Sequence, residues 1–201
     1  MAAIVKKDTV RGNFETGDKP TSVQFDEWIT SCVFEGGNGA SVVTGAVAIG
    51  PGAVAVNEGQ FTRASGIFST VGDAQISSFI SRNETTTNVQ TELFLDGASG
   101  RLVIPDQTTW TFDIIISARR TDVDDESAGY KLEGVIDRNT GVATTALVGT
   151  LLKTVIGEDT AAWDVTAEAD AANGALVIKV TGENAKTIRW VAKTSVVEVS
   201  G

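Results

Sequence analysis

Four glycines, Gly45, Gly52, Gly59 and Gly66, recur seven residues apart and head the aligned heptads TGAVAIG, PGAVAVN, EGQFTRA and SGIFSTV. Two positions after each glycine stands an apolar residue: Val47, Val54, Phe61 and Phe68. The residues between are Ala46, Ala53, Gln60 and Ile67, so small side chains dominate the first two units only. Coiled coils also repeat every seven residues, but each glycine inside a helix costs about 1 kcal/mol relative to alanine. Val47-x-Ile49 instead alternates as a strand does. Short strands turned at glycine account for the spacing, because glycine supplies the positive φ that a corner needs. Such a unit cannot bury its apolar face alone, so the ladder requires stacking and points to association with other chains.

The 201 residues suffice for one good core plus an extension. A hydrophobic content of 42% with 21% charged residues is that of a globular chain. The net charge of −10 argues against nucleic acid or an anionic membrane as partner. No apolar run approaches a membrane span, so no membrane insertion is expected. The opening MAAIVKKDTVRGN lacks the apolar stretch of a secretory signal. Cys32 is the sole cysteine and histidine is absent, which removes internal disulfides, cysteine metal clusters, Ser-His-Asp and Cys-His catalysis and the commonest zinc sites. No cofactor is expected.

Before the ladder, GDKPTSVQFDEWITSCVF opens with a turn signal at Gly17-Asp18 and Pro20. Thr21 and Gln24 have capping-box spacing. Phe25, Trp28, Ile29, Cys32 and Val33 then fall on one face of a helix over about residues 21–34. So short a helix is marginal alone and needs a platform, whether its own domain, sister chains or another protein. Glu35-Gly36-Gly37-Asn38-Gly39 closes the segment with a joint.

From Asp73 onward strand follows strand. Candidates are 75–82, 91–95, 101–104, 109–119, 129–136, 143–156, 163–169, 175–181 and 187–199. Asn173-Gly174, between WDVTAEAD and ALVIKVT, is the strongest short-range hairpin signal. Many short strands spaced by turns indicate a mainly β chain with an antiparallel β-sandwich or jelly roll. The expected organisation is an N-terminal anchor over 1–38, a glycine-heptad β-roll over 39–72 and a β-sandwich over 73–201.

GDKPTSVQFDEWITSCVF resembles a segment near the N-terminus of many tailed-phage tail-fibre and virion-appendage proteins. TELFLDGASGRLVIPDQTTWTFDIIISARRTD, SAGYKLEGVIDR, TALVGTLLKTVIGEDTAAWDV and GENAKTIRWVAKTSVVEV resemble a C-terminal β-domain of phage and prophage structural proteins. The ladder is similar to the β-roll of trimeric adhesin heads and phage fibre shafts. This resemblance implies a homotrimer on the surface of a virion, made in the host cytoplasm. It further implies a partner virion protein bound through the N-terminal segment, and a host surface glycan or protein as a candidate target. Gln60, Arg63 and Ile67 depart from the regular units, so the roll is expected to loosen or end near Asn57. Two roles fit: a tail-fibre-like attachment appendage, or a capsid decoration (cement) trimer. A carbohydrate-active enzyme is a distant third.

Asp122, Asp124, Asp125 and Glu126 form an acidic run that invites a calcium reading. The run lacks the glycine and distal glutamate of an EF-hand loop, and a solvated hairpin tip is the favoured reading. Glu133 with Asp137, or Glu158 with Asp159, are the carboxylate pairs a glycosidase would need, though spacing singles out neither. Trp110, Trp163, Trp190 and Tyr130 can line a sugar groove, but alternation places Trp110 and Trp190 in a core. Arg119-Arg120 and Arg138 read as ion-pair partners of the acidic tips, and Arg101 and Arg189 as ordinary structural pairs. No catalytic residues are assigned.

Overall fold

A computed structural model describes residues 40, 41, 43, 45–123 and 125–201. The expected helix, with Phe25, Trp28, Ile29, Cys32 and Val33, lies outside the described residues, as does Asp124. The described residues are mainly β. Four short strands come first: β1 (Ala40–Ser41), β2 (Val47–Ile49), β3 (Val54–Ala55) and β4 (Phe61–Arg63). Longer ones follow: β5 (Ala74–Thr85), β6 (Thr91–Leu93), β7 (Leu102–Val103), β8 (Thr108–Arg120) and β9 (Ser127–Arg138). The chain ends with β10 (Ala146–Glu158), β11 (Asp164–Asp170), β12 (Ala175–Thr181) and β13 (Ile188–Ser200). A 3-10 turn, Val142–Thr144, precedes β10.

The heptads build a parallel roll whose coil is two units long. β1 pairs with β3 in the register Ala40↔Val54, and β2 with β4 in the register Val47↔Phe61, each an offset of two heptads. Gly45, Gly52 and Gly59 take φ of +70°, +83° and +63°, whereas Gly66 is not left-handed. The ladder missed one corner: Gly50 has φ +96°, and a Cβ there would lie 2.0 Å from the Ala64 carbonyl oxygen.

Inside the roll sit the residues one and three places after Gly45, Gly52 and Gly59, whereas Ile67, next to Gly66, is exposed. Ala46, Ala48, Ala53, Ala55 and Ala64 form its core, beside Val43. The larger residues two places after each glycine point outward, and Phe61 and Phe68 are exposed. Only small side chains fit between strands so closely stacked. The roll also continues past Asn57, since β4 keeps the parallel register. It ends at Asp73, whose buried carboxylate accepts hydrogen bonds from the N–H groups of Phe68, Ser69 and Thr70 at 2.6–3.1 Å. Those donors hold its pKa below the ordinary value.

A seven-stranded sheet runs in the order β10-β9-β8-β13-β5-β4-β2, so two strands of the roll extend the large sheet in plane. Only β2–β4 is parallel within it. A smaller sheet, β11-β12-β6 with β7 also on β12, packs across it. Phe79, Trp110, Ile114 and Tyr130 of the large sheet meet Val165, Leu176 and Ile178 of the small one in a single core. The β11–β12 hairpin turns at Asn173-Gly174, with φ +67° at Gly174. The Asp170 carboxylate steadies that turn by accepting from the N–H groups of Ala172 and Asn173. Among the described residues no helix is long and apolar enough to cross a membrane.

Candidate functional site

The outer face of the seven-stranded sheet, turned away from the small sheet, forms a groove of about 810 Å³. Strand register explains its lining. One transverse row runs Phe61, Ser78, Ser195, Asp113, Glu133, Leu152, each opposite the next on the neighbouring strand. The adjoining row runs Arg63, Ile76, Val197, Thr111, Val135, Val148. A polar strip thus lies beside a largely apolar one, with apolar side chains at both ends of the first row. Lys131 Nζ sits 2.8 Å from the Glu133 carboxylate and 3.8 Å from that of Asp113, which raises the lysine pKa and neutralises the strip in part.

Behind this face, where the roll joins the sheet, lies a buried polar seam. Gln75 acts as a backbone mimic: its Oε1 accepts from Val54 N–H at 2.9 Å and its Nε2 donates to Val54 C=O at 3.0 Å. Asn57 does the same for Val103, at 3.0 and 2.9 Å. Gln60 accepts from the N–H groups of Val56 and Asn57 and donates to Ser77 Oγ at 2.8 Å. Ser77 and Gln75 in turn bond the Glu198 carboxyl. Glu198 is 3% exposed. Burial pushes its pKa up, partly offset by Ser77, Gln75 and the neighbouring Trp110 indole.

The acidic run is drawn into ion pairs. Arg120 contacts Asp122 at 2.9 Å, Glu126 at 3.2 Å and Asp125 at 3.5 Å, while Lys186 contacts Glu126 at 2.7 Å. Asp122 also accepts from Thr187 N–H. Arg120 holds Asp122 down to about 2, and Lys186 lowers Glu126. Among the described residues no three potential metal ligands cluster. Trp110, Trp163, Trp190 and Tyr130 are all buried in the core. Glu158 accepts from the Tyr130 hydroxyl, which burial raises in pKa, and Asp159 accepts from Ser127. Asp137 accepts from Thr109, and Glu133 pairs with Lys131. Arg101 pairs with Glu92, Arg138 with Asp106 and Arg189 with Glu84.

Sequence reasoning overlooked both the groove and the seam. The available signal was the pattern AQISSFIS, in which serines and a glutamine share one face with Phe79 while isoleucines occupy the other.

No protein-family model matches the chain, and no curated protein matches it. Partial similarity exists to solved tailspike proteins of Acinetobacter phages. One is tailspike gp49 of Acinetobacter baumannii bacteriophage Fri1, a capsular polysaccharide depolymerase: 18% identity, TM-score 0.36, 66% of this chain and 19% of that one. The Acinetobacter baumannii phage AM24 tailspike gives 13% identity and TM-score 0.34 over 61% and 26%. The Acinetobacter phage vB_ApiP_P1 tailspike gives 12% and 0.30 over 63% and 22%. The chain therefore spans about a fifth to a quarter of the length of the tailspikes it overlaps.

Proposed function

We propose that this chain is a non-enzymatic structural protein of a tailed-phage virion, a homotrimeric tail-fibre-like appendage that attaches to the host surface. The observation carrying this reading is the parallel glycine-cornered roll that merges in plane with a β-sandwich. Through that join, β2 and β4 of the roll share a sheet with β5, β13, β8, β9 and β10 of the head. The sequence resemblance of residues 17–34 and of the C-terminal strands to phage appendage proteins supports it. The candidate glycosidase carboxylates are each engaged in a hydrogen bond or ion pair within the chain. In this reading the N-terminal segment, with Phe25, Trp28, Ile29, Cys32 and Val33, seats the trimer on another virion protein. Weak contacts to a host glycan or protein, repeated in three copies, then add by avidity.

Densitometry of purified virions tests the role. An appendage gives a few trimers per particle, and the purified protein blocks phage adsorption. Hundreds of copies with no effect on adsorption would point to capsid decoration instead. Sugar released at turnover rates from host surface polysaccharide would overturn the non-enzymatic reading.

A further inference from the structure

The seven-stranded sheet is inside out where it meets the roll. On β5 the inward residues Gln75, Ser77 and Ser81 are polar and buried, while outward Ile76 and Ile80 are 51% and 61% exposed. On β13, Glu198 points inward and Val197 and Val199 point outward. A sheet with one wet face shows the opposite alternation, and apolar side chains on both faces mark a sheet covered on both sides. At the opposite edge of the same sheet, β10 is also apolar on its surface. It is 13 residues long, and Val148, Leu152, Val155 and Ile156 are all exposed. Soluble chains do not leave a long apolar edge open, because it templates pairing with other chains.

We infer that this outer face, from Phe61 across to β10, is buried against a second copy of this chain, which names the contact face of the proposed assembly. Charge identifies the occupant. Arg63 and Lys193 cancel Asp113 and Glu133 within the groove, and Lys131 adds one further cation beside it, on a chain whose net charge is −10. Copies so acidic repel one another except through a locally neutral surface. The groove's two ends differ, the roll at one and the β10 edge at the other. Head-to-tail contact between unlike ends gives a ring when its rotation closes, and a three-fold rotation gives the proposed trimer.

Light scattering on the full chain and on Leu152→Lys and Val197→Lys tests this. Both sites are at least 60% exposed, so the substitutions leave the fold intact by circular dichroism. Wild type is expected as a multimer at micromolar concentration, with association weakened at least about tenfold by either lysine. Val89→Lys, in the β5–β6 loop, keeps the wild-type mass. Should a lysine variant misfold, slower exchange of β10 amides in the wild-type multimer than in the same chain diluted to monomer provides the second reading, because pairing with β9 alone protects only part of the strand. A monomeric wild type, or a multimer indifferent to both lysines whose β10 amides exchange no more slowly than in the monomer, overturns the inference. An indifferent multimer that still blocks adsorption leaves the appendage role standing and sinks only this face.

Discussion

Replacing Glu198 with glutamine tests the polar seam. The carboxyl is 3% exposed and its pKa is raised by burial above the usual 4.5. Its contribution to stability is therefore fully present below pH 4.5, where folded and unfolded chains both bind the proton. As pH rises from there the unfolded chain ionises while the folded chain still holds its proton. Each such unit costs about 1.4 kcal/mol of folding free energy until the folded pKa is passed. Glu198→Gln removes that slope. It also opposes two amide N–H groups, its own and that of Gln75, but this conflict is independent of pH. The stability of the variant minus that of wild type, from urea unfolding, is thus flat below pH 4.5, climbs above it at up to about 1.4 kcal/mol per pH unit, and levels off once the folded pKa is passed. A difference flat throughout, or one that falls with pH, would show that the Ser77 and Gln75 donors outweigh burial and would refute the reasoning.

Other perturbations probe separate parts. Asn57→Ala removes both bonds to the Val103 backbone from a buried site and lowers unfolding free energy by about 2 kcal/mol, measured by chemical denaturation. Gly50→Ala drives a Cβ into the Ala64 carbonyl and costs about 3 kcal/mol, whereas Gly59→Ala meets no atom within 4 Å and costs about 1 kcal/mol. Equal losses at the two corners would contradict the packed coil. Calcium leaves the melting temperature unchanged, because Arg120 and Lys186 already hold Asp122 and Glu126; a rise on adding calcium would revive a metal role for the acidic run.

Much of the sandwich is legible in the sequence because its signals are local. Asn173-Gly174 turns the β11–β12 hairpin, and Trp110, Phe112, Ile114 and Ile116 alternate into the core. The roll is legible as well, since glycine at a fixed spacing reports corners directly. Its register is less so, for nothing in seven-residue units announces that a coil needs two of them. Gln60 looks like a defect in the repeat, yet it bonds the roll to Ser77. Ile76, Ile80 and Val197 lie outside although they are apolar, because period-two alternation identifies two faces without saying which one the partner sheet covers. The groove depends on strands distant in sequence, and only the register β4-β5-β13-β8-β9-β10 brings Phe61 and Leu152 to the ends of one row.

The central claim is that this chain works as a multimer built on its apolar sheet face. The mass of the 201-residue chain in solution, by light scattering at micromolar concentration, tests it most directly. The account predicts three times the chain mass of 21.0 kDa. A single chain mass would contradict it.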